Sequence, residues 1–448
     1  MERLYLITLI YKPNMNTEKG NEKTLNRRGF IKNVAVASAA FMIVPRFVLG
    51  KGYTAPSDMI NLGFIGTGKQ ALGLKDAFLG TNEINILAAA DVYGAKLELF
   101  NKEVKKYLSN KKDKHSTAAE VTGYADFKEV LGRKDIDAVV IAVPDHWHSV
   151  IAILAARAGK DIYCEKPLSL TIQEGRAMVD ESRKANRVFQ TGSMQRSWHE
   201  FRQAVELVRN GYIGDIKTVK VNVGVAPIPY NLAAETIPDS LNWDFWLGPN
   251  SPQAYNHFLA PGLKDVFWAK WRDYKEFGGG GMTDWGAHMF DIAQWGLDMD
   301  ATGPTSITPP DKDHEFLTYQ YANGITMTHE PVGNQGVTFV GSTGTIHVQR
   351  GKLETTPIEL KDKLIGPNEK HVYLSENHYK DFLQAMRNRT KPVADVEIGH
   401  RTATVCNIGN IAYELKRPLQ WNPQKEEFIN DEEANKLRSR EMRKEWVV

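Results

Sequence analysis

From residue 59 the chain alternates between short apolar runs and longer stretches of helical period. Ala138-Val139-Val140-Ile141-Ala142-Val143 is apolar at every position, as expected of a strand covered by helices on both faces of a parallel sheet. Residues 59–65, 84–90, 161–164 and 188–190 read the same way, with helices between them, including 149–158 and one ending near Asn186. This predicts a doubly wound α/β domain over 57–190, whose ligand lies beyond the carboxyl ends of the strands. Past residue 190 the rhythm changes to period two. Residues 216–223, 317–321, 325–329, 337–340 and 345–349 alternate as half-buried strands, with an Asn323-Gly324 hairpin signal and a turn at 341–344. Residues 378–387 and 400–415 read as helices bracing both halves, and the acidic-to-basic tail 431–444 has charges suited to a helix dipole. The expected organisation is residues 1–56 as a leader and linker, 57–190 as one domain and 191–448 as a second.

The leader has its own chemistry. Asn26-Arg27-Arg28-Gly29-Phe30-Ile31-Lys32 precedes the uncharged stretch 34–44, which is shorter than the roughly 20 residues a bilayer span requires and suits a signal core. The arginine pair followed by Phe30 resembles a twin-arginine export signal. It implies a periplasmic protein with no membrane span once mature, and because that route carries folded proteins, any cofactor would be bound before export.

Composition narrows the options. With 56 Lys and Arg against 54 Asp and Glu among 448 residues, the chain lacks the basic excess of a nucleic-acid binder. Its two cysteines, Cys164 and Cys406, cannot build a disulfide framework, and Cys164 inside an apolar strand reads as packing. His146 and His148 flank Trp147 without a third ligand, so no metal is expected.

The first strand runs straight into Gly66-Thr67-Gly68-Lys69-Gln70-Ala71. The first glycine permits a tight turn, the second admits a pyrophosphate, small Ala71 allows close packing, and the next helix directs its amides at phosphate. The second apolar strand ends in Asp91, where an acid would bind the adenosine ribose and repel a 2′-phosphate. This is a Rossmann pattern that favours NAD over NADP. The expected cofactor contacts are Gly66, Thr67, Gly68, Gln70, Asp91, Pro144, His146, His148, Glu165, Lys166 and Gln195.

Glu165-Lys166-Pro167, taken with Gly279-Gly280-Gly281-Met282-Thr283-Asp284-Trp285-Gly286-Ala287-His288-Met289-Phe290-Asp291, resembles the Gfo/Idh/MocA family (glucose–fructose oxidoreductase, inositol dehydrogenase and relatives). The resemblance implies a Rossmann domain plus an α+β domain with a large open, mostly antiparallel sheet, and assembly into a homodimer or homotetramer. It also implies NAD(P)-dependent oxidation or reduction of a sugar or polyol carbon, with Lys166, Asp284 and His288 catalytic. The residue types agree with that chemistry. Asp284 and His288 are spaced to share one helix face, and imidazole suits removal of a hydroxyl proton. The Lys166 ammonium would stabilise developing alkoxide charge, and Asp291 lies one turn beyond His288. Six tryptophans, Trp243, Trp246, Trp268, Trp271, Trp285 and Trp295, crowd the second half. Those of the 241–249 stretch read as structural. Trp268, Trp271, Arg272 and Arg196 are the expected substrate contacts, since aromatic faces suit the C–H faces of a sugar.

Three functions fit: an exported oxidoreductase acting on a sugar or glycoside hydroxyl, C3 among the options; an NAD-dependent glycosidase working by transient oxidation and elimination; and a sugar-binding protein without turnover. The intact lysine, aspartate and histidine argue against the last.

Overall fold

The computed structural model describes residues 58–110, 120–331 and 334–448; the twin-arginine motif lies outside them. The first sheet contains β1 (Ile60–Ile65), β2 (Ile84–Ala90), β3 (Thr122–Tyr124), β4 (Ala138–Ile141), β5 (Asp161–Cys164) and β6 (Phe189–Thr191). All are parallel, in the order β3-β2-β1-β4-β5-β6. The order reverses between β1 and β4, which opens a crevice at their carboxyl ends. The helices α1 (Lys69–Leu79), α2 (Gly94–Asn110), α3 (Phe127–Gly132), α4 (Asp145–Arg157) and α5 (Ile172–Lys184) connect these strands. Every residue of β4 is buried, as the continuous apolar run requires. Helix α4 begins four residues earlier than its apolar pattern suggests, so the polar segment Asp145–His148 is its first turn. Strand β3 has no apolar signature because two of its three residues are exposed.

After α6 (His199–Arg209) the chain enters a nine-stranded sheet: β7 (Ile216–Asn222), β8 (Ser306–Thr308), β9 (Leu317–Gln320), β10 (Thr326–His329), β11 (Gly336–Gly341), β12 (Thr345–Gln349), β13 (Lys352–Thr356), β14 (Leu419–Asn422) and β15 (Glu427–Phe428). Only the β7–β10 pairing is parallel. Gly324 takes a positive φ of 84° in the β9–β10 turn, as the Asn-Gly signal predicts. One face of the sheet, including Val219, Val221, Met327, Phe339 and Val348, is fully buried. Its opposite face carries partly exposed threonines at 218, 318, 326, 328 and 338.

The short helix α7 (Trp243–Leu247) holds Trp243 and Trp246 stacked 4.6 Å apart and buried. Past it come α8 (Gly281–Asp284), α9 (Gly286–Gly296), α10 (His378–Asn388), α11 (Val396–Leu415) and α12 (Glu432–Lys436). Helix α11 packs on both α5 and α9, so it touches the layers of both sheets. The tail is not one helix. α12 stops at Lys436, and Arg440 beyond it extends to bond Glu174 and the His146 carbonyl. Its charge pattern serves these tertiary bonds.

Candidate active site

A cavity of about 780 Å³ opens at the crevice between β1 and β4, with one wall from the parallel sheet and the other from the segment 259–288 and Arg350. At its nucleotide end the backbone is shaped before any side chain acts. Gly66 has φ of 85°, and a Cβ there would lie 2.4 Å from the Ala142 carbonyl oxygen, so no other residue fits the turn. Gly68 begins α1 without a side-chain cap, which leaves the first-turn amides and their partial positive charge for an anion. Asp91 accepts from the Thr67 amide at 2.7 Å and its hydroxyl at 2.8 Å, so it braces the glycine turn as well as lining the cavity. Gln70, Pro144 and Glu165 line it too. These residues fit a dinucleotide: phosphates at the α1 amides, ribose at Asp91.

At the other end three side chains converge. The Lys166 ammonium, delivered by the end of β5, donates to Asp284 Oδ1 at 2.6 Å and to the Asp284 carbonyl at 3.0 Å. Arg272 donates to the same Oδ1 at 3.3 Å. Burial pushes Asp284 up, but the Lys166 and Arg272 cations outweigh it and hold the carboxyl at about 2. Burial, reinforced by Lys166 and Arg350, pushes the His288 imidazole well below its ordinary 6.5, and Asp284 offsets this only in part. Its Nδ1 is buried without a partner, which leaves Nε2 for the cavity. Asp284 and His288 do not share one continuous helix. Trp285 separates α8 from α9, and its carbonyl accepts from the His288 amide at 3.0 Å. The carboxylate therefore acts on the imidazole through space, its Oδ1 being taken by the two cations.

Other expected contacts sit elsewhere. His146 is fully buried with Nε2 at 3.0 Å from the Trp246 carbonyl, and burial takes it down to about 3. His148 has Nδ1 2.8 Å from the Pro167 carbonyl and Nε2 3.0 Å from the Val143 carbonyl, and burial takes it to about 4. Both lie on α4 facing protein, because the helix starts earlier than its apolar run. Gln195 is buried and accepts from Arg350. Arg196 is 1% exposed and forked onto Asp291 at 2.7 Å and Asp300 at 2.7 Å, so it is an internal strut and not a substrate contact. Asp291, expected near His288, belongs to that strut. Trp268 and Arg272 do line the cavity, Arg272 lying 4.2 Å from the Trp271 ring and 5.4 Å from the half-exposed Trp268 ring. Asp145 and Arg350 are among the lining residues that sequence reasoning did not assign to the site. Asp145 lies in the segment past β4 where ligand contacts are expected but beside a conspicuous His-Trp-His, and burial raises its carboxyl well above the ordinary range. Arg350 comes from a strand hairpin far along the chain.

Family models match on both halves: the oxidoreductase family's NAD-binding Rossmann fold over residues 60–193, and its C-terminal alpha/beta domain over residues 226–448. The chain belongs to the Gfo/Idh/MocA oxidoreductase family. As a member of Gfo/Idh/MocA it has an NAD-binding Rossmann domain. It is 25% identical over 208 residues to a glycosyl hydrolase family 109 protein of Shewanella baltica (strain OS185), and 26% identical over 209 residues to an alpha-N-acetylgalactosaminidase of Shewanella oneidensis. Each match covers 43% of this chain and 44% of the relative, so it spans less than half of those proteins. Among solved structures, the WlbA dehydrogenase of Bordetella pertussis in complex with NADH and UDP-GlcNAcA aligns with a TM-score of 0.58 at 15% identity, over 81% of this chain and 98% of that one. Levoglucosan dehydrogenase in complex with NADH and levoglucosan aligns at 0.53 and 18%, over 81% and 99%. Both likenesses lie in the fold of Gfo/Idh/MocA proteins. Among the described residues no helix is long and apolar enough to cross a membrane, and no group of three or more His, Cys, Asp or Glu side chains could hold a metal ion.

Proposed function

We propose that this protein oxidises a hydroxyl-bearing carbon, C3 being the leading position, of a sugar or glycoside. The observation that carries the proposal is the convergence of Lys166, Asp284 and His288 at the far end of the nucleotide cleft. NAD, held by Gly66, Thr67, Gly68, Gln70 and Asp91, supplies the hydride acceptor when bound. The chain's own residues then divide the work. Asp284 pins the Lys166 ammonium, whose remaining proton donates to the reacting oxygen and stabilises its developing charge. His288 Nε2 accepts the hydroxyl proton, since its imidazole is held neutral. Trp268, beside Arg272, offers an aromatic face to sugar C–H groups. The dehydrogenase neighbours solved with sugar ligands support the substrate class.

Export through the Arg27-Arg28 signal, a periplasmic location and a homo-oligomeric state belong to the same proposal. A protein working where free NAD is scarce has reason to keep its cofactor and return it to its starting state. A second reading therefore has specific support: the glycosyl hydrolase 109 relatives, and Asp145, a carboxyl lining the cavity whose pKa burial raises, a candidate acid for a leaving aglycone. In that reading the net result is hydrolysis without net consumption of NAD.

Incubation of purified protein with methyl and p-nitrophenyl glycosides separates the cases: absorbance at about 340 nm or a keto-sugar indicates the oxidoreductase, released aglycone the glycosidase, and neither the binding protein. Lys166→Ala and His288→Ala should each abolish hydride transfer while the dinucleotide remains bound in native mass spectrometry. Full turnover in either variant would remove the mechanistic assignment.

A further inference from the structure

Arg350 occupies the turn between β12 and β13 and reaches into the cavity beside His288. Its Nε donates to Gln195 Oε1 at 3.0 Å. Its guanidinium carbon lies 4.6 Å from the Trp285 ring centroid and 5.3 Å from that of Trp198. These contacts hold the planar fork in place. Yet among the described residues no carboxylate lies within ion-pair distance of Arg350, and its two terminal nitrogens have no hydrogen-bond acceptor. The neighbouring cations are already matched: Lys166 and Arg272 share Asp284. Burial lowers the Arg350 pKa, and the Asp284 and Glu165 carboxylates, both beyond ion-pair distance, offset this only in part. The dinucleotide phosphates are not its partner, since their amide cradle is at the start of α1 on the opposite wall.

We propose that Arg350 receives a carboxylate of the substrate, so that the sugar is an acidic one: a uronic acid or its glycoside. The inference rests on the carbohydrate reading above and names its substrate class. At the His288 end of the cavity, a cation without an ion pair matches a monoanion, and a fixed guanidinium fork matches the two coplanar oxygens of a carboxylate.

The test uses the full protein saturated with NADH, in which no oxidation runs, titrated calorimetrically with the methyl glycosides of glucuronic and galacturonic acid. Their methyl esters, which keep the ring and lose the charge, and the matching neutral glucosides and galactosides complete the panel. The acids should bind at least about tenfold more tightly than their esters. Arg350→Met should remove that preference, and Arg350→Lys, which keeps charge without the fork, should restore only part of it. Equal binding of acid and ester by the unmodified protein overturns the assignment, whatever the fate of the variants. If neutral glycosides bind without any preference for the acids, Arg350 loses its role and the carbohydrate reading stands. If the acids bind selectively but the protein loaded instead with NAD never oxidises them, the oxidoreductase reading falls and the Arg350 assignment survives. Binding by none overturns both.

Discussion

His288 illustrates how neighbours redefine a residue. A free imidazole titrates near 6.5, which makes it an obvious base for work near neutrality. Here burial, Lys166 and Arg350 all disfavour the charged ring. The sign follows directly: with its pKa lowered in the folded protein, His288 stays neutral as pH falls through 6.5 and is protonated only well below that value. The acid limb of kcat/KM for oxidation should therefore lie well below pH 6.5, where a solvent-exposed histidine would place it. Arg350→Met, which removes one of the two cations, should move the limb upward on a substrate that carries no charge. An acid limb at 6.5 in the unmodified protein would mean that another group titrates in the rate. The same environment explains the roles within the triad. Asp284 is held anionic at about 2 by the Lys166 and Arg272 charges, so it positions the lysine through Oδ1 and acts on the imidazole by charge alone.

At the scale of elements, the segments joining the two sheets are tied by buried charge. Arg196, on the short turn after β6, forks onto Asp291 of α9 and onto Asp300 beyond that helix, and Asp291 also accepts from Thr402 of α11 at 2.9 Å. Removing one partner leaves buried charge uncompensated, which costs about 3–5 kcal/mol. Arg196→Met should thus lower the unfolding midpoint in denaturant titration substantially while leaving KM for the sugar unchanged; the reverse pattern would return Arg196 to the substrate site. This strut also marks where sequence reasoning failed. A lone arginine just past a strand end looks like a ligand contact, because the aspartates that neutralise it lie some hundred residues away. His146 and His148 misled for a related reason. The apolar pattern sets the register of α4 but not its first turn, so residues expected on a loop fall inside the helix and bond carbonyls. Strands β1, β2, β4 and β5 were legible because burial on both faces leaves no polar position in most of their length. Strands β3, β8, β13, β14 and β15, with two to five residues each, were not, since their pairing depends on distant partners.

For the whole molecule, the lysine, aspartate and histidine proposed to act in catalysis are readable from two local motifs, whereas the enclosure of the cleft is not, because it depends on segments far apart in the chain. Around Asp91 the two halves interlock. The Gly94 amide donates to the Ser240 carbonyl at 2.8 Å and the Asn242 amide to the Val92 carbonyl at 2.9 Å. Lys69, one residue past the glycine turn, donates to the Phe267 carbonyl at 2.6 Å. The segment from Leu259 to Trp268 consequently lies along the cavity opposite the first turn of α1. Escape of a dinucleotide would require this strap to part, and a hydrogen bond from a charged donor is worth about 1.5–3 kcal/mol. Lys69→Met breaks the tie without touching Lys166, Asp284 or His288. It should speed NADH dissociation by about tenfold or more, read by displacement of bound NADH fluorescence with excess NAD. The variant should also emerge from dilution with less dinucleotide in native mass spectrometry. If the dissociation rate is unchanged, the strap does not retain the cofactor, and a captive NAD would have to be explained by the α1 amides and Asp91 alone.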